Sequence, residues 1–311
     1  MKIAIADNTT LKFCGDLKKH WEDSGHEVKY ETGASEFLAQ WADIYYIEWF
    51  DNNIHYLFNW YKDNPSAKKP VFVVRAIDWD LWTHGTPNQE MIDFVDKWIC
   101  IAPHMEKKLR AEGNFGDKLK LIRPGVNTDK FTLKVKETDG FQLGMVLGDL
   151  WLMKNPFGGL DIFTTLYQQD NRWRLHVRGQ HEGGQYYPVL WNHYLESRGI
   201  KDAVTLYEPQ DDMNSWYENI DILLHPGLKE TFCYAVGEAA SKGIPVVVNE
   251  FYGAREVWWE SFLYKTHSEA IAMICVLNDY EVNSYNYRNF IEKNYGLDRY
   301  LKETDEWLNI I

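Results

Sequence analysis

A strand–helix–strand unit constrains the fold of this chain more than any other feature. Ile220–His225 is a short apolar run that ends at Pro226-Gly227, which is typical of a buried strand entering a turn. A helix is predicted over Ala235–Lys242, and Ile244–Val248 is predicted to be the next buried strand. Strands joined by a crossover helix pair in parallel, so this unit predicts an α/β fold.

The same alternation recurs along the chain and predicts two domains. Strand-like runs in the first third are Lys2–Ala6, Ala42–Trp49, Val71–Ala76 and Lys97–Ala102. A second series includes Arg174–Arg178, Val204–Tyr207 and Pro245–Asn249. Right-handed crossovers then give two Rossmann-like, doubly wound parallel sheets. Ligands of such sheets bind beyond the carboxyl ends of the strands, so we expect the two domains to face each other across a cleft.

Two glutamates lie on either side of the predicted start of the helix in the first unit described. Glu230 precedes the helix and Glu238 follows about two turns later, roughly on one face. Both carboxylates could accept hydrogen bonds from the hydroxyls of one extended ligand. The start of the helix, with the backbone N–H groups of Thr231 and Phe232, is a natural cradle for a diphosphate. A solvated helix face is the simpler alternative, but the flanking apolar strands argue against it.

These segments resemble the retaining glycosyltransferases of family 4, which have the GT-B fold. The resemblance rests on the two glutamates and on four further segments in the family's order. These are Leu121–Phe131, Gly144–Gly148 with Lys154-Asn155-Pro156, Val204–Asp212 and Gly253–Val257. It covers about residues 119–260 and implies an N-terminal acceptor domain over 1–125 and a donor-binding domain over 126–284. Tyr285–Leu308 is predicted to be helical, and the segment 285–311 is then expected to be a C-terminal helix that crosses back to the first domain.

The resemblance also implies roles for particular residues. Lys154 would neutralise the diphosphate leaving group, where charge develops as the glycosyl bond breaks. Glu238 would bind the ribose, and Glu230 would hold the transferred sugar near the anomeric centre. Where the family usually has a second phosphate-binding cation, an arginine, this chain has Asp149. The candidate replacements are Arg123, Arg178 and Arg255, and we include Arg178 among the donor-binding residues.

The first domain offers weaker candidates. Gly15 resembles the family's first glycine-containing loop, which approaches the donor phosphate, although a plain turn is the simpler interpretation. Many relatives place a histidine near the sugar where this chain has Ile77. We therefore take Asp78 as the catalytic candidate there, with Asp80 and His84 as alternatives; each could equally be a helix cap or a surface residue.

Composition limits the remaining possibilities. The formal net charge of −13 disfavours nucleic acid as a partner, because phosphate binding depends on clustered Lys and Arg. Four cysteines without paired spacing indicate neither a zinc site nor a disulfide framework, and favour a cytoplasmic location. No apolar window is long enough for a transmembrane span or a signal peptide. The resemblance, rather than composition, implies that no metal and no cofactor is needed besides the substrate, a UDP- or GDP-linked sugar.

The leading hypothesis is a metal-independent, retaining glycosyltransferase that transfers a sugar to an acceptor hydroxyl. The acceptor would be a glycan, a lipid-linked molecule or a small molecule held by the N-terminal domain. Three alternatives stay open: a non-catalytic protein that binds a sugar nucleotide or glycan, a phage-type glucosyltransferase that modifies DNA, and an epimerase of the same architecture. Asp149 and Ile77, which stand where functional residues are usual, motivate the non-catalytic alternative.

Overall fold

The computed structural model describes residues 1–9, 11–149, 152–180, 184, 186–208, 212–279 and 283–310, without the side chains of 78, 79 and 149. The chain divides into two compact units. The first comprises Met1–Pro124 together with Asp298–Ile311, and the second is Gly125–Leu297. The first division falls next to the predicted one at 125/126. Among the described residues, no helix has both the length and the apolar character needed to cross a bilayer.

The first unit contains a parallel sheet of six strands in its described part, in the order β2-β1-β3-β4-β5-β6. The strands are β1 (Lys2–Ala6), β2 (Glu27–Glu31), β3 (Ile44–Glu48), β4 (Val71–Ala76), β5 (Lys97–Cys100) and β6 (Leu119–Leu121). The helices between them are α1 (Gly15–Asp23), α2 (Glu36–Trp41), α3 (Asn52–Asp63), α4 (Asp78–Thr83), α5 (Gln89–Phe94) and α6 (Pro103–Glu112). Every residue of β3 is buried, as expected for a central parallel strand.

The second unit has a parallel sheet of the same size in its described part, in the order β12-β11-β10-β7-β8-β9. Its strands are β7 (Gln142–Asp149), β8 (Arg174–Gln180), β9 (Val204–Tyr207), β10 (Ile222–His225), β11 (Val246–Asn249) and β12 (Leu263–Tyr264). Its helices are α7 (Pro156–Gln169), α8 (Tyr186–Ser197), α9 (Met213–Tyr217), α10 (Tyr234–Ser241), α11 (Ala254–Val257), α12 (His267–Asp279) and α13 (Ser284–Tyr295). The two doubly wound sheets confirm the predicted fold class.

Helix α7 packs directly onto the sheet because glycine allows a close approach. A Cβ placed on Gly159 would lie 2.4 Å from Met145 Sδ of β7 and 3.1 Å from Pro226 Cγ. A larger residue would therefore require the Met145 side chain to move.

The C-terminal segment departs from the prediction of one helix over Tyr285–Leu308. The structure has α13, a break at Gly296, and then α14 (Leu297–Leu308). At the break the chain pairs with the first residues of the second unit: Val126 N donates to Tyr295 O (2.7 Å) and Leu297 N donates to Val126 O (3.2 Å). Helix α13 packs on α10 and remains in the second unit, so the return to the first unit begins at Asp298 rather than at the predicted residue 285.

Candidate active site

Three loops of the second unit are tied together at the carboxyl ends of β7, β10 and β11. Asn155 lies after β7 in the left-handed region (φ 50°); its side chain accepts a hydrogen bond from Gly158 N (3.2 Å) and donates one to Pro226 O (3.1 Å). The side chain of Asn249 donates to Gly227 O (3.0 Å). Asn and Gly tolerate left-handed or crowded backbone, which suits these positions. The bonds fix the loop after β10 against the loop after β7.

This framework brings Lys154 and Glu230 into contact. Leu228 N donates to Met153 O (2.8 Å), which places the turn Leu152–Lys154 beside the loop that carries Glu230. Lys154 Nζ forms an ion pair with Glu230 Oε1; the carboxylate is 12% exposed and the lysine 27%. The two residues predicted to act on the leaving group and on the sugar are therefore neighbours. Partial burial strengthens their interaction compared with a surface pair, while both remain accessible to a ligand.

A buried histidine and a cysteine complete this cluster. His225, the last residue of β10, is 2% exposed, and its Nε2 lies 3.5 Å from Glu230 Oε1. Its Nδ1 lies 3.5 Å from Cys233 Sγ. Burial lowers the pKa of His225 to about 4, against the opposing influence of Glu230. Burial, followed by the charge of Glu230, raises the pKa of the Cys233 thiol well above its ordinary value. At neutral pH both groups are uncharged.

These side chains also form the one group of potential metal ligands within the described ranges. The ligand atoms of His225, Glu230 and Cys233 lie within 4.8 Å of one another. The sequence shows no paired histidine–cysteine spacing, so this group was not predicted, although His225 and Cys233 lie on either side of Glu230 in the sequence. A cation here would be opposed by the Lys154 ammonium on the same carboxylate oxygen.

Glu238 is held by a tyrosine that the sequence did not indicate. Tyr217 OH donates to Glu238 Oε2 (3.0 Å) and lies 3.1 Å from Ala235 O. Tyr217 is fully buried; that burial, followed by the charge of Glu238, raises the pKa of its hydroxyl well above the ordinary value. It therefore remains a hydrogen-bond donor. Tyr217 uses one oxygen of Glu238, and a carboxylate has further lone pairs to offer a ligand.

Thr231 and Phe232 were predicted at the start of the helix, but α10 begins at Tyr234, so both residues lie in the loop before it. The Phe232 ring is 2% exposed and stacks on Trp258, with ring centroids 4.9 Å apart. Its side chain is thus part of the core, and the contact of its backbone with a diphosphate stays a prediction. Cys233, directly before the helix, has a left-handed backbone (φ 66°).

The remaining predicted residues are spread over both units. Arg178 lies in β8, is 3% exposed, and influences the pKa of Tyr217, although far less than burial does. Gly15 is the first residue of α1 in the first unit, and a Cβ there would meet no atom within 4 Å. Asp78 is the first residue of α4, also in the first unit, and Asp149 is the last residue of β7. The side chains of Asp78 and Asp149 lie outside the described part of the structure.

Asp80, an alternative to Asp78, has a structural role in the geometry observed. Its carboxylate accepts hydrogen bonds from Phe50 N (2.8 Å) and Ile77 N (3.0 Å), so it caps the start of its own helix and fixes the loop after β3. Burial raises the pKa of Asp80 to about 7.

Two Rossmann-like units of this topology define the GT-B class of glycosyltransferase folds. A profile of the family described as glycosyl transferases group 1 matches residues 129–294, more than half of the 311-residue chain. The chain belongs to this family. A search among curated protein sequences gave no match.

Solved structures of glycosyltransferases have the same fold. Anabaena HepE in complex with UDP superimposes with a TM-score of 0.75 at 16% identity over 100% of both chains. Sucrose-phosphate synthase from Thermosynechococcus elongatus gives a TM-score of 0.74 at 12% identity, over 99% of this chain and 98% of that one. The lipopolysaccharide outer core galactosyltransferase WaaB gives a TM-score of 0.67 at 17% identity over 99% of each chain. At such low identities the likeness establishes the fold.

Proposed function

We propose that this protein is a retaining glycosyltransferase that moves a sugar from a nucleoside diphosphate to an acceptor hydroxyl without a metal ion. The observation that carries the proposal is the ion pair of Lys154 and Glu230 on the loops beyond β7 and β10, together with the Tyr217–Glu238 hydrogen bond between α9 and α10. Structures of HepE contain UDP and UDP-glucose, which supports a UDP-linked donor; a GDP-linked donor is the alternative to test.

Each side chain of the cluster has a distinct role in this proposal. Glu238 accepts hydrogen bonds from ribose hydroxyls, since a carboxylate can accept several hydrogen bonds. Lys154 stabilises the negative charge that develops on the diphosphate. Glu230 binds hydroxyls of the transferred sugar, and Arg178 supplies further positive charge. Because the Lys154–Glu230 ion pair is already formed, the lysine is positioned before the donor binds.

The reaction is a substitution at the anomeric carbon. The bond from this carbon to the diphosphate oxygen breaks, and its electron pair leaves with the diphosphate. The acceptor oxygen forms a new bond to the same carbon on the face that the leaving group vacates, and the acceptor proton passes to the departing diphosphate. Lys154 offsets the charge of that leaving group, so no Lewis acid is required.

The first experiment is calorimetry with UDP and GDP in EDTA, repeated with Mg²⁺. We expect one nucleotide to bind equally well in both buffers. Glu238→Ala should abolish this binding, whereas Lys154→Ala should slow sugar transfer more than it weakens nucleoside binding. Glu137→Ala, which removes an exposed carboxylate, is the matched control. Unchanged binding and turnover in both site variants would refute the proposal.

Asp149 gives a specific reason to consider a non-catalytic protein that binds a sugar nucleotide, since an acidic residue stands where the resembled family has a cation. Tight nucleotide binding with neither donor hydrolysis nor transfer to any acceptor of a panel would favour it. Binding of DNA is disfavoured by the net charge of −13, and a mobility shift at low salt tests it. The unpaired cysteine spacing supports our inference of a cytoplasmic location.

A further inference from the structure

Four polar side chains form a continuous chain beside the proposed sugar site. Cys233 Sγ lies 3.5 Å from His225 Nδ1, and His225 Nε2 lies 3.5 Å from Glu230 Oε1. Lys154 is ion-paired with that same carboxylate oxygen. The imidazole thus stands between the thiol and the carboxylate and directs a different nitrogen to each.

The neighbours of the ring decide which nitrogen carries its proton. The Glu230 carboxylate can only accept, so a lone pair on Nε2 would be repelled by it, whereas an N–H is attracted. His225 is neutral at pH 7, and a proton on Nε2 leaves Nδ1 as an acceptor. The Cys233 thiol retains its proton because burial raises its pKa, so it can donate to Nδ1. In this arrangement the thiol donates to Nδ1, and the Nε2–H faces the carboxylate 3.5 Å away.

The surroundings hold the ring in place. A Cβ on Gly227 would lie 2.7 Å from His225 Nε2, so the bare backbone of Gly227 packs against the imidazole. Asn249 fixes Gly227 through its carbonyl. Nε2 is buried and has no hydrogen-bond partner within the described residues, so its attraction to the Glu230 carboxylate, 3.5 Å away, is electrostatic. The backbone of Cys233 is strained, since a φ of 66° lies in the left-handed region, which is unfavourable for any residue with a Cβ.

We propose that Cys233 is a positioning residue for the donor sugar: its S–H holds His225 in the Nε2–H tautomer, which orients the Glu230 carboxylate. The inference rests on the proposed function, in which Glu230 binds hydroxyls of the transferred sugar. Lys154 and His225 then approach the same oxygen of Glu230 and leave the other oxygen to the sugar.

The first test is ¹⁵N NMR of the histidine rings in the whole protein, with His225→Gln used to assign the signal of His225. We expect the Nε2–H tautomer in the wild type and in Cys233→Ser, whose hydroxyl also donates. Cys233→Ala should give a mixture of tautomers. Serine and alanine experience the same left-handed backbone, so the pair isolates the hydrogen bond from the strain. An Nδ1–H tautomer in the wild type would overturn the proposal.

The second test is kinetic and uses the nucleotide sugar that the wild type turns over fastest. Loss of a hydrogen bond that orients a charged group predicts that Cys233→Ala raises KM for the nucleotide sugar about tenfold. Cys233→Ser should stay within about twofold of wild type, and the Kd of UDP alone should be unchanged in both, since UDP lacks the transferred sugar that Glu230 is proposed to bind. Equal KM values for the serine and alanine variants would contradict the inference. The NMR measurement needs no turnover, so failure of the proposed function is distinguished from failure of this inference.

Discussion

The buried state of His225 predicts a specific loss of stability in acid. Burial lowers its pKa from the ordinary 6.5 to about 4, so between these values the unfolded chain binds a proton that the native protein does not. Stability must therefore fall as the pH falls from 6.5 to 4. The two pKa values give a loss of about 2 kcal/mol at pH 5 and about 3 kcal/mol at pH 4, relative to pH 8.

The measurement is urea unfolding of the wild type and of His225→Gln at pH 8, 6, 5 and 4, followed by tryptophan fluorescence. Glutamine cannot be protonated, so the free energy of unfolding of the variant should fall less steeply with acid, by about 2 kcal/mol at pH 5. His193→Gln removes an exposed imidazole and should follow the wild type. Parallel pH profiles for the wild type and His225→Gln would refute the burial argument, whatever the absolute stability of the variant.

Three further predictions concern the framework. Asp80→Asn should show the opposite pH dependence from His225→Gln. Because the pKa of the Asp80 carboxyl is raised to about 7, the wild type becomes less stable as the pH rises. Between pH 5 and pH 8 the unfolding free energy of the variant, measured by urea titration, should therefore rise by about 2–3 kcal/mol relative to that of the wild type. Gly144→Ala places a Cβ 2.7 Å from Ile220 and should cost about 1–3 kcal/mol, measured as a lower Tm, whereas Gly15→Ala has open space and should change little. Phe232→Ala should cost about 3–5 kcal/mol in unfolding free energy, and a loss under about 1 kcal/mol would contradict its assignment to the core.

The sequence predicted the sheets well because parallel strands buried on both faces appear as apolar runs between turn residues. Val71–Ala76 and Val204–Tyr207 have the predicted bounds. The end of the chain was harder. The break at Gly296 depends on pairing with Val126, a contact between residues far apart in sequence. Local helix propensity does not indicate such a long-range contact, so Tyr285–Leu308 was predicted as one helix.

The candidate site was predictable residue by residue but not as an arrangement. Lys154 and Glu230 were each indicated by a resemblance in their own segment, yet their ion pair joins loops 76 positions apart. Tyr217 was missed because a buried tyrosine is usually a core residue, and only the folded structure shows that its hydroxyl meets Glu238. Cys233 was judged by spacing to other cysteines, whereas its significance comes from His225 across the loop.

The first unit is assembled from both ends of the chain, and this affects how the protein can be made. Asp305 of α14 accepts a hydrogen bond from Trp21 Nε1 (2.8 Å) and forms a second hydrogen bond with His20 Nε2 (2.6 Å). The indole N–H of Trp21, a fully buried residue of α1, therefore has its hydrogen-bond partner in the last helix of the first unit. On the ribosome, residues 1–124 emerge before the second unit but obtain this helix only after it, so the continuous second unit can finish folding earlier. The first unit is therefore expected to complete its native structure after the second, although most of it is synthesised before.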